Sequence, residues 1–461
     1  MSNNRYQTKP YELSGMPPGI PYIVGNEAAE RFSFYGMKAI LSVFLTQHLL
    51  DSHGQHDVLT ETEAKVWIHS FNFWTYILPA IGALLADWLW GKYRTILSLS
   101  VIYCLGHAAL AINETREGIT IGLALIAIGA GGIKPCVSAH VGDQFGNLNR
   151  HLLPKVFSWF YFSINIGAAT SMMLTPYILN ETAAEYGGAL AFGIPGILMA
   201  IATVLFWVGR NTFVHIPARG KHFWKETFNE SSLRSIGALI PVYFLVSFFW
   251  SLFDQTNTSW VFQAQAMDTV FFPESDLEFT VLPAQMQSAN PILVMVLIPL
   301  FSLFIYPAIN RYFPLTPLRK LSIGFFVATA SFVIVSLLQE SLDAEITTHI
   351  AWQILAYLLI TAAEVMISIT CLEFAYTQAP PSAKSLVMSM YLATVAVGNL
   401  FTVIVNKLIQ NEDGTNKLEG AAYYWFFTAV MAIASILFVF VAKSYRGRTY
   451  GAIAESEALE G

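Results

Sequence analysis

Charge is what this sequence lacks. Asp, Glu, Lys and Arg make up 12% of the 461 residues, against 55% hydrophobic residues, and the mean hydropathy is +0.51. Soluble domains carry roughly a quarter charged residues, so the composition excludes a water-soluble globule and calls for lipid. Cysteine is sparse too. Cys104, Cys136 and Cys371 each sit in an apolar run, without the spacing of a disulfide framework or metal site, and read as small buried residues. No metal-ligand spacing such as H-E-x-x-H and no nucleophile–base constellation occurs, so an enzyme is not expected. Residues 1–21 are polar and proline-rich without the apolar core of a signal peptide, so no cleavable signal is expected. The longest non-apolar stretch, residues 210–234, is too short for a soluble domain, which argues against a receptor.

What the sequence has is long apolar runs. A span needs about 20 mostly apolar residues to cross ~30 Å of hydrocarbon. Twelve such stretches are expected. They fall near 26–50, 66–88, 94–112, 118–142, 155–179, 188–209, 235–257, 286–310, 318–339, 347–376, 384–410 and 421–442. With twelve spans, eighteen of the 25 Lys and Arg residues fall on one side of the membrane and four on the other. Arg31, Lys38 and Lys134 are left inside helices. The positive-inside rule then puts both termini in the cytoplasm. The expected organisation is an all-α membrane protein: a six-helix bundle over 1–209, a cytoplasmic linker over 210–234, and a second bundle over 235–461 with a short tail. A chain with no domain outside the membrane acts on something crossing it.

Ionisable residues inside spans cost roughly 2.5–3.5 kcal/mol each and read as functional. The first span holds Glu27, Glu30 and Arg31 at i, i+3 and i+4, with Tyr35 and Lys38 continuing that face. The fourth holds Lys134 within Gly129-Ala-Gly-Gly-Ile-Lys-Pro135. A lone lysine there needs a carboxylate or an anionic ligand, and its small neighbours admit close helix approach. Tyr161 and Asn165 are paired at i, i+4 in the fifth span, and Trp250 and Asp254 in the seventh. Glu364 and Glu373 both lie in the tenth. His69 is either a proton carrier or a hydrogen-bonded packing residue, with Tyr76 two turns along. Asp87, followed by Gly91, Lys92 and Arg94, suits a conformational latch.

These residues carry a resemblance. Glu27-Ala-Ala-Glu-Arg31, Gly131-Gly-Ile-Lys-Pro135 with Asp143-Gln144-Phe145, and Phe160-Tyr-Phe-Ser-Ile-Asn-Ile-Gly167 match family motifs in order. Phe249-Trp-Ser-Leu-Phe-Asp-Gln255 and Leu372-Glu-Phe-Ala-Tyr376 continue the series. The chain resembles the proton-dependent oligopeptide transporter (POT/PTR) family of the major facilitator superfamily, of the bacterial di- and tripeptide symporter type. The resemblance implies two six-helix bundles around a central site, alternating access, and peptide import driven by protons. It implies no cofactor, with the proton as coupling ion. Its peptide-carboxylate binders fall on Arg31, Lys38 and Lys134, and its amino-terminus binder on Glu373. Pocket contacts fall on Tyr35, Tyr76, Tyr161, Asn165, Trp250, Asn290 and Phe401. Proton coupling falls on Glu27, Glu30 and Asp254, with His69 shared by only part of the family. The expected partners are di- and tripeptides, peptide-like drugs and membrane lipid, with no nucleic acid, and a monomer suffices. The expected location is the plasma membrane (the inner membrane in a Gram-negative cell).

Two departures stand out. Lys38 occupies a place where the family usually has Arg, which removes bidentate contacts. The two extra helices that many bacterial members carry between the halves are also missing. The competing reading is a transporter of the same fold for nitrate, another small anion or drug efflux.

Overall fold

The computed structural model describes residues 6–183, 186–218, 220, 230–378, 384–411 and 415–445. Much of the expected linker (219 and 221–229), the Ala379-Pro380 pair and the tail from 446 lie outside the described residues. The described chain is mostly helical. Its helices are α1 Ile20–Val43, α2 Glu61–Leu85, α3 Lys92–Ile112, α4 Arg116–Asp143, α5 Leu153–Glu181 and α6 Gly187–Val208. They continue with α7 Glu230–Phe253, the short α8 Ser259–Gln265, α9 Ala289–Leu300 and the short α10 Tyr306–Asn310. The last four are α11 Pro317–Asp343, α12 Ala351–Gln378, α13 Lys384–Ile409 and α14 Ala421–Ser444. Strands Val270–Phe271 and Phe279–Thr280 pair antiparallel in the loop after α8. Among the described residues, ten helical runs are long and apolar enough to cross a membrane. Neither α1, with its four ionisable residues, nor α5 is among the ten.

Local sequence sets the helix ends. The Thr115 hydroxyl accepts from the Gly118 amide at the start of α4, and Thr316 caps α11 with Pro317 at its first position. α2 runs into a wide π turn at Ala86–Trp90, which Gly91 ends with φ of 76°. That left-handed backbone favours glycine, and it turns the chain directly into α3.

The chain divides into two compact units. One comprises Met1–Leu59 with Trp74–Phe223, and the other Thr60–Phe73 with Trp224–Gly461. α2 is therefore shared, its first half clustering with the second unit. Within the first unit α1 packs on α5 and α6, and α3 packs on α4 and α6. Within the second, α11 packs on α12 and α14, α7 on α13 and α14, and α9 on α12. There Leu297, Phe301 (just past α9), Val365 and Met366 form a buried apolar cluster against α12.

Small residues set the closest approaches in the first unit. A Cβ added at Gly82 of α2 would lie 2.5 Å from Gly132 Cα and 2.8 Å from the Gly131 carbonyl oxygen of α4. Backbone cannot yield as a side chain would. Gly82→Val is therefore expected to destabilise the fold by about 1–3 kcal/mol through overpacking. A thermal melt of the purified protein checks this, and an unchanged midpoint would show that α2 and α4 do not touch at Gly82.

Candidate functional site

The ionisable stripe of α1 is a buried charge cluster. Arg31 Nε donates to Glu27 Oε1 at 2.7 Å and stands 3.3 Å from Glu30 Oε2. Helical spacing puts both acids within reach of one guanidinium, and Glu27 and Glu30 are 1% and 0% exposed. Charge-assisted bonds of this kind are the strong ones. Ser33, on the Glu30 side, bonds to the Glu30 carbonyl at 2.9 Å and to the Tyr103 hydroxyl of α3 at 3.1 Å. Lys38 is buried two turns beyond Arg31 on the same helix.

Lys134 is held differently. Its Nζ lies 3.7 Å from the Phe34 ring centroid and 4.6 Å from that of Tyr76, and Tyr35 packs edge-on against Phe34. Aromatic faces attract an ammonium, but they do not neutralise it. Among the described residues this buried Nζ has no hydrogen-bond partner. The glycines beside it make the arrangement possible, since Gly131 lies against Leu78 and Gly132 against Leu99. On α5, Asn165 donates to the Tyr161 carbonyl at 2.9 Å, engaging its own helix, and the Tyr161 side chain is 41% exposed. Asp87 is half-buried on the π turn. The neighbouring ion pair joins Lys92 Nζ to Asp143 Oδ2 at 2.7 Å, and Asp143 feels the Asp87 charge.

In the second unit, His69 and Asp254 meet through a residue that the sequence reading missed. His69 Nδ1 is 2.7 Å from Asn399 Oδ1, and its Nε2 is 3.1 Å from Thr258 Oγ1. Asn399 Nδ2 donates to Asp254 Oδ2 at 2.6 Å. All four side chains are buried. An asparagine in an apolar run carries no signal of such a role, and the three helical segments that meet here are far apart in sequence.

Asn290 brings the second surprise. Its Nδ2 donates to Glu364 Oε2 at 2.7 Å and to Thr361 Oγ1 at 3.1 Å. The resemblance makes Asn290 a pocket contact and Glu373 the amino-terminus binder, and the described bonds of Asn290 reach Glu364. Glu373 is exposed. Nine residues beyond Glu364 on the same helix, it is displaced by about 13 Å of rise and half a turn of rotation. Trp250 packs on Phe249, Phe253 and Tyr391, and its buried indole N–H has no hydrogen-bond partner among the described residues. Phe401 packs edge-on against Phe248 and Phe427. Lys65, one turn before His69, rests on the Tyr423 ring at 4.4 Å and the Phe262 ring at 5.6 Å, with no ion pair among the described residues.

Among the described residues, no group of three or more His, Cys, Asp or Glu side chains is placed to hold a metal ion.

Several known proteins are similar to this chain. The family model described as "POT family" matches residues 93–231 and 221–426. "Peptide transporter family 1" of Drosophila melanogaster is 35% identical over 371 residues, covering 71% of this chain and 48% of that protein. "Solute carrier family 15 member 2" of Mus musculus is 35% identical over 404 residues, covering 77% and 54%. The chain thus spans about half the length of the curated relatives it matches. The crystal structure of an auto-inhibited POT family peptide transporter superposes with a TM-score of 0.84 at 35% identity, covering 94% of this chain and 98% of that one. The POT family transporter PepTSo gives 0.82 at 35%, covering 94% and 99%.

The two cations of the first unit should respond oppositely to neutralisation. Arg31→Met leaves two buried carboxylates without their hydrogen-bonded cation and should cost about 3–5 kcal/mol, whereas Lys134→Met removes a buried charge with no hydrogen bond among the described residues and should be neutral or stabilising. Thermal midpoints of the two variants decide the matter, and equal losses would mean that Lys134 is neutralised within the fold.

Proposed function

The chain belongs to the POT family, and from that premise we propose that it imports di- and tripeptides together with protons by alternating access. The observation that carries the reading is Lys134, a buried ammonium held by aromatic rings and without a hydrogen-bond partner among the described residues. A peptide carboxylate supplies that partner. Arg31 is the second cation for that carboxylate, and it becomes available when Glu27 or Glu30 takes up a proton and lets it go. Coupling follows from this competition, because a protonated acid no longer holds the guanidinium.

For the peptide amino group we place the contact on Glu364 rather than Glu373. Asn290 already aims its amide at Glu364, and an ammonium fits where an amide N–H₂ donates. Tyr35, Tyr76, Tyr161, Asn165, Trp250 and Phe401 supply walls with few fixed donors, which suits variable side chains. Asp254 and His69 belong to the proton pathway, and Asp87 to a conformational latch beside Lys92 and Asp143. The remaining architecture is proposed on the same footing. It comprises twelve spans, six over 1–209 and six over 235–461 joined by a cytoplasmic linker over 210–234, both termini in the cytoplasm of a plasma-membrane protein. It acts as a monomer in lipid, without a cofactor, and also accepts peptide-like drugs.

Uptake of labelled dialanine into proteoliposomes, with and without an inward proton gradient, tests the reading. Gradient-stimulated uptake is expected, and its absence for every di- and tripeptide tried would sink it. Glu30→Gln should abolish driven uptake while counterflow persists, and a parallel fall of both would make Glu30 structural. Glu364→Gln should weaken peptide binding about tenfold or more, with a smaller effect on analogues lacking the amino group. Glu373→Gln should leave that discrimination in place, and the reverse pattern would restore Glu373 as the contact.

A further inference from the structure

We propose that Asn399 is a positioning residue that ties the proton on His69 to the charge on Asp254, an inference that rests on the proton-coupled reading above. The amide of Asn399 is fully engaged. Its Nδ2 donates to Asp254 Oδ2 at 2.6 Å and to the Val395 carbonyl at 2.9 Å. Its Oδ1 faces Asn72 Nδ2 at 3.1 Å and His69 Nδ1 at 2.7 Å. Turning the amide over would set its oxygen against a carboxylate and a carbonyl, and its N–H₂ against the Asn72 N–H₂. The orientation is therefore fixed by its neighbours, since neither acceptor on the Nδ2 side has a hydrogen to give.

A fixed Asn399 fixes His69. With Oδ1 as its partner, Nδ1 must carry a hydrogen, so a neutral His69 has its lone pair on Nε2. That nitrogen accepts from the Thr258 hydroxyl at 3.1 Å. A proton arriving from water binds the Nε2 lone pair, and the Thr258 hydroxyl rotates from donor to acceptor. The Nδ1–H of the resulting imidazolium then donates more strongly to Oδ1, which polarises the Nδ2–H toward Asp254 and favours its carboxylate form. Conversely, a proton on Asp254 weakens the chain at its other end. Proton occupancy at the two sites is thereby linked through one neutral amide.

Ionisable groups near this cluster among the described residues of the second unit include Lys65, one turn earlier on α2, and Glu364 of α12, which feels the Asp254 charge. The Tyr357 hydroxyl of α12 bonds to the Thr256 carbonyl at 3.4 Å, on the segment between Asp254 and Thr258. None of these bonds to Asn399. The Asn399 amide bonds directly to both the histidine and the aspartate.

The test is a double-mutant cycle on the full chain. Wild type, Asn399→Leu, His69→Gln and the double variant are compared by the pH profile of gradient-driven dialanine uptake in proteoliposomes. Asn399→Leu should move the profile by about one pH unit and cut driven uptake more than counterflow. In the His69→Gln background the same substitution should move it no further. A profile that overlays wild type, or an equal shift in both backgrounds, overturns the proposal. Asn399→Ser serves in the same cycle should the leucine variant fail to purify as a single species. The pH dependence of the thermal midpoint of the four purified proteins reads the same linkage without transport. If wild type transports no peptide, that midpoint cycle still decides the role of Asn399, while the functional reading falls separately.

Discussion

An ionisable side chain in hydrocarbon costs free energy unless its charge is answered, and this chain uses three kinds of answer. Arg31 is clasped by Glu27 and Glu30. Lys134 and Lys65 rest on aromatic faces. Asp254 and Glu364 each receive an asparagine amide. The hierarchy matters. A guanidinium paired with two carboxylates is the best answered of these charges, whereas an ammonium over rings remains open to a stronger partner. The unit that holds each group is shaped around that difference.

Glycine is the geometric counterpart of this arrangement. Lys134 reaches the Phe34 and Tyr76 rings because α4 presents Gly131 and Gly132 where α2 and α3 come close. α5 makes a similar approach to α1, where Gly167 lies against the Ala28 carbonyl near Arg31. Larger residues would widen these gaps and leave the cations farther from the groups that hold them. The small residues and the buried charges are thus one design requirement, expressed twice in the sequence.

Much of this was legible before any coordinates. The apolar runs announce a membrane protein because nothing else explains so little charge. The i, i+3, i+4 spacing of Glu27, Glu30 and Arg31 announces an ion cluster because helical geometry leaves those side chains no choice. Legibility ended where partners come from distant segments. Asn399 lies 330 residues from His69, and no local pattern marks it. Glu364 was visible as a misplaced charge, but its pairing with Asn290 depends on how α9 packs against α12. Glu373 was preferred for its motif, although half a turn of rotation and two and a half turns of rise separate it from that pairing. Motif position speaks to ancestry, and rotation about a helix axis speaks to reach.

The first half of α2 is fastened to the second unit at two points one helical turn apart. At Lys65 the fastening is a cation on Tyr423 and Phe262, and neither ring changes its charge at neutral pH. At His69 it is a chain of hydrogen bonds through Asn399 and Thr258, whose strength depends on which nitrogens carry hydrogen. One fastening is a charge on aromatic faces and the other a hydrogen-bonded relay. Two different chemistries hold one stretch of helix, so a change in the hydrogen bonds at the histidine leaves the aromatic contact of Lys65 in place.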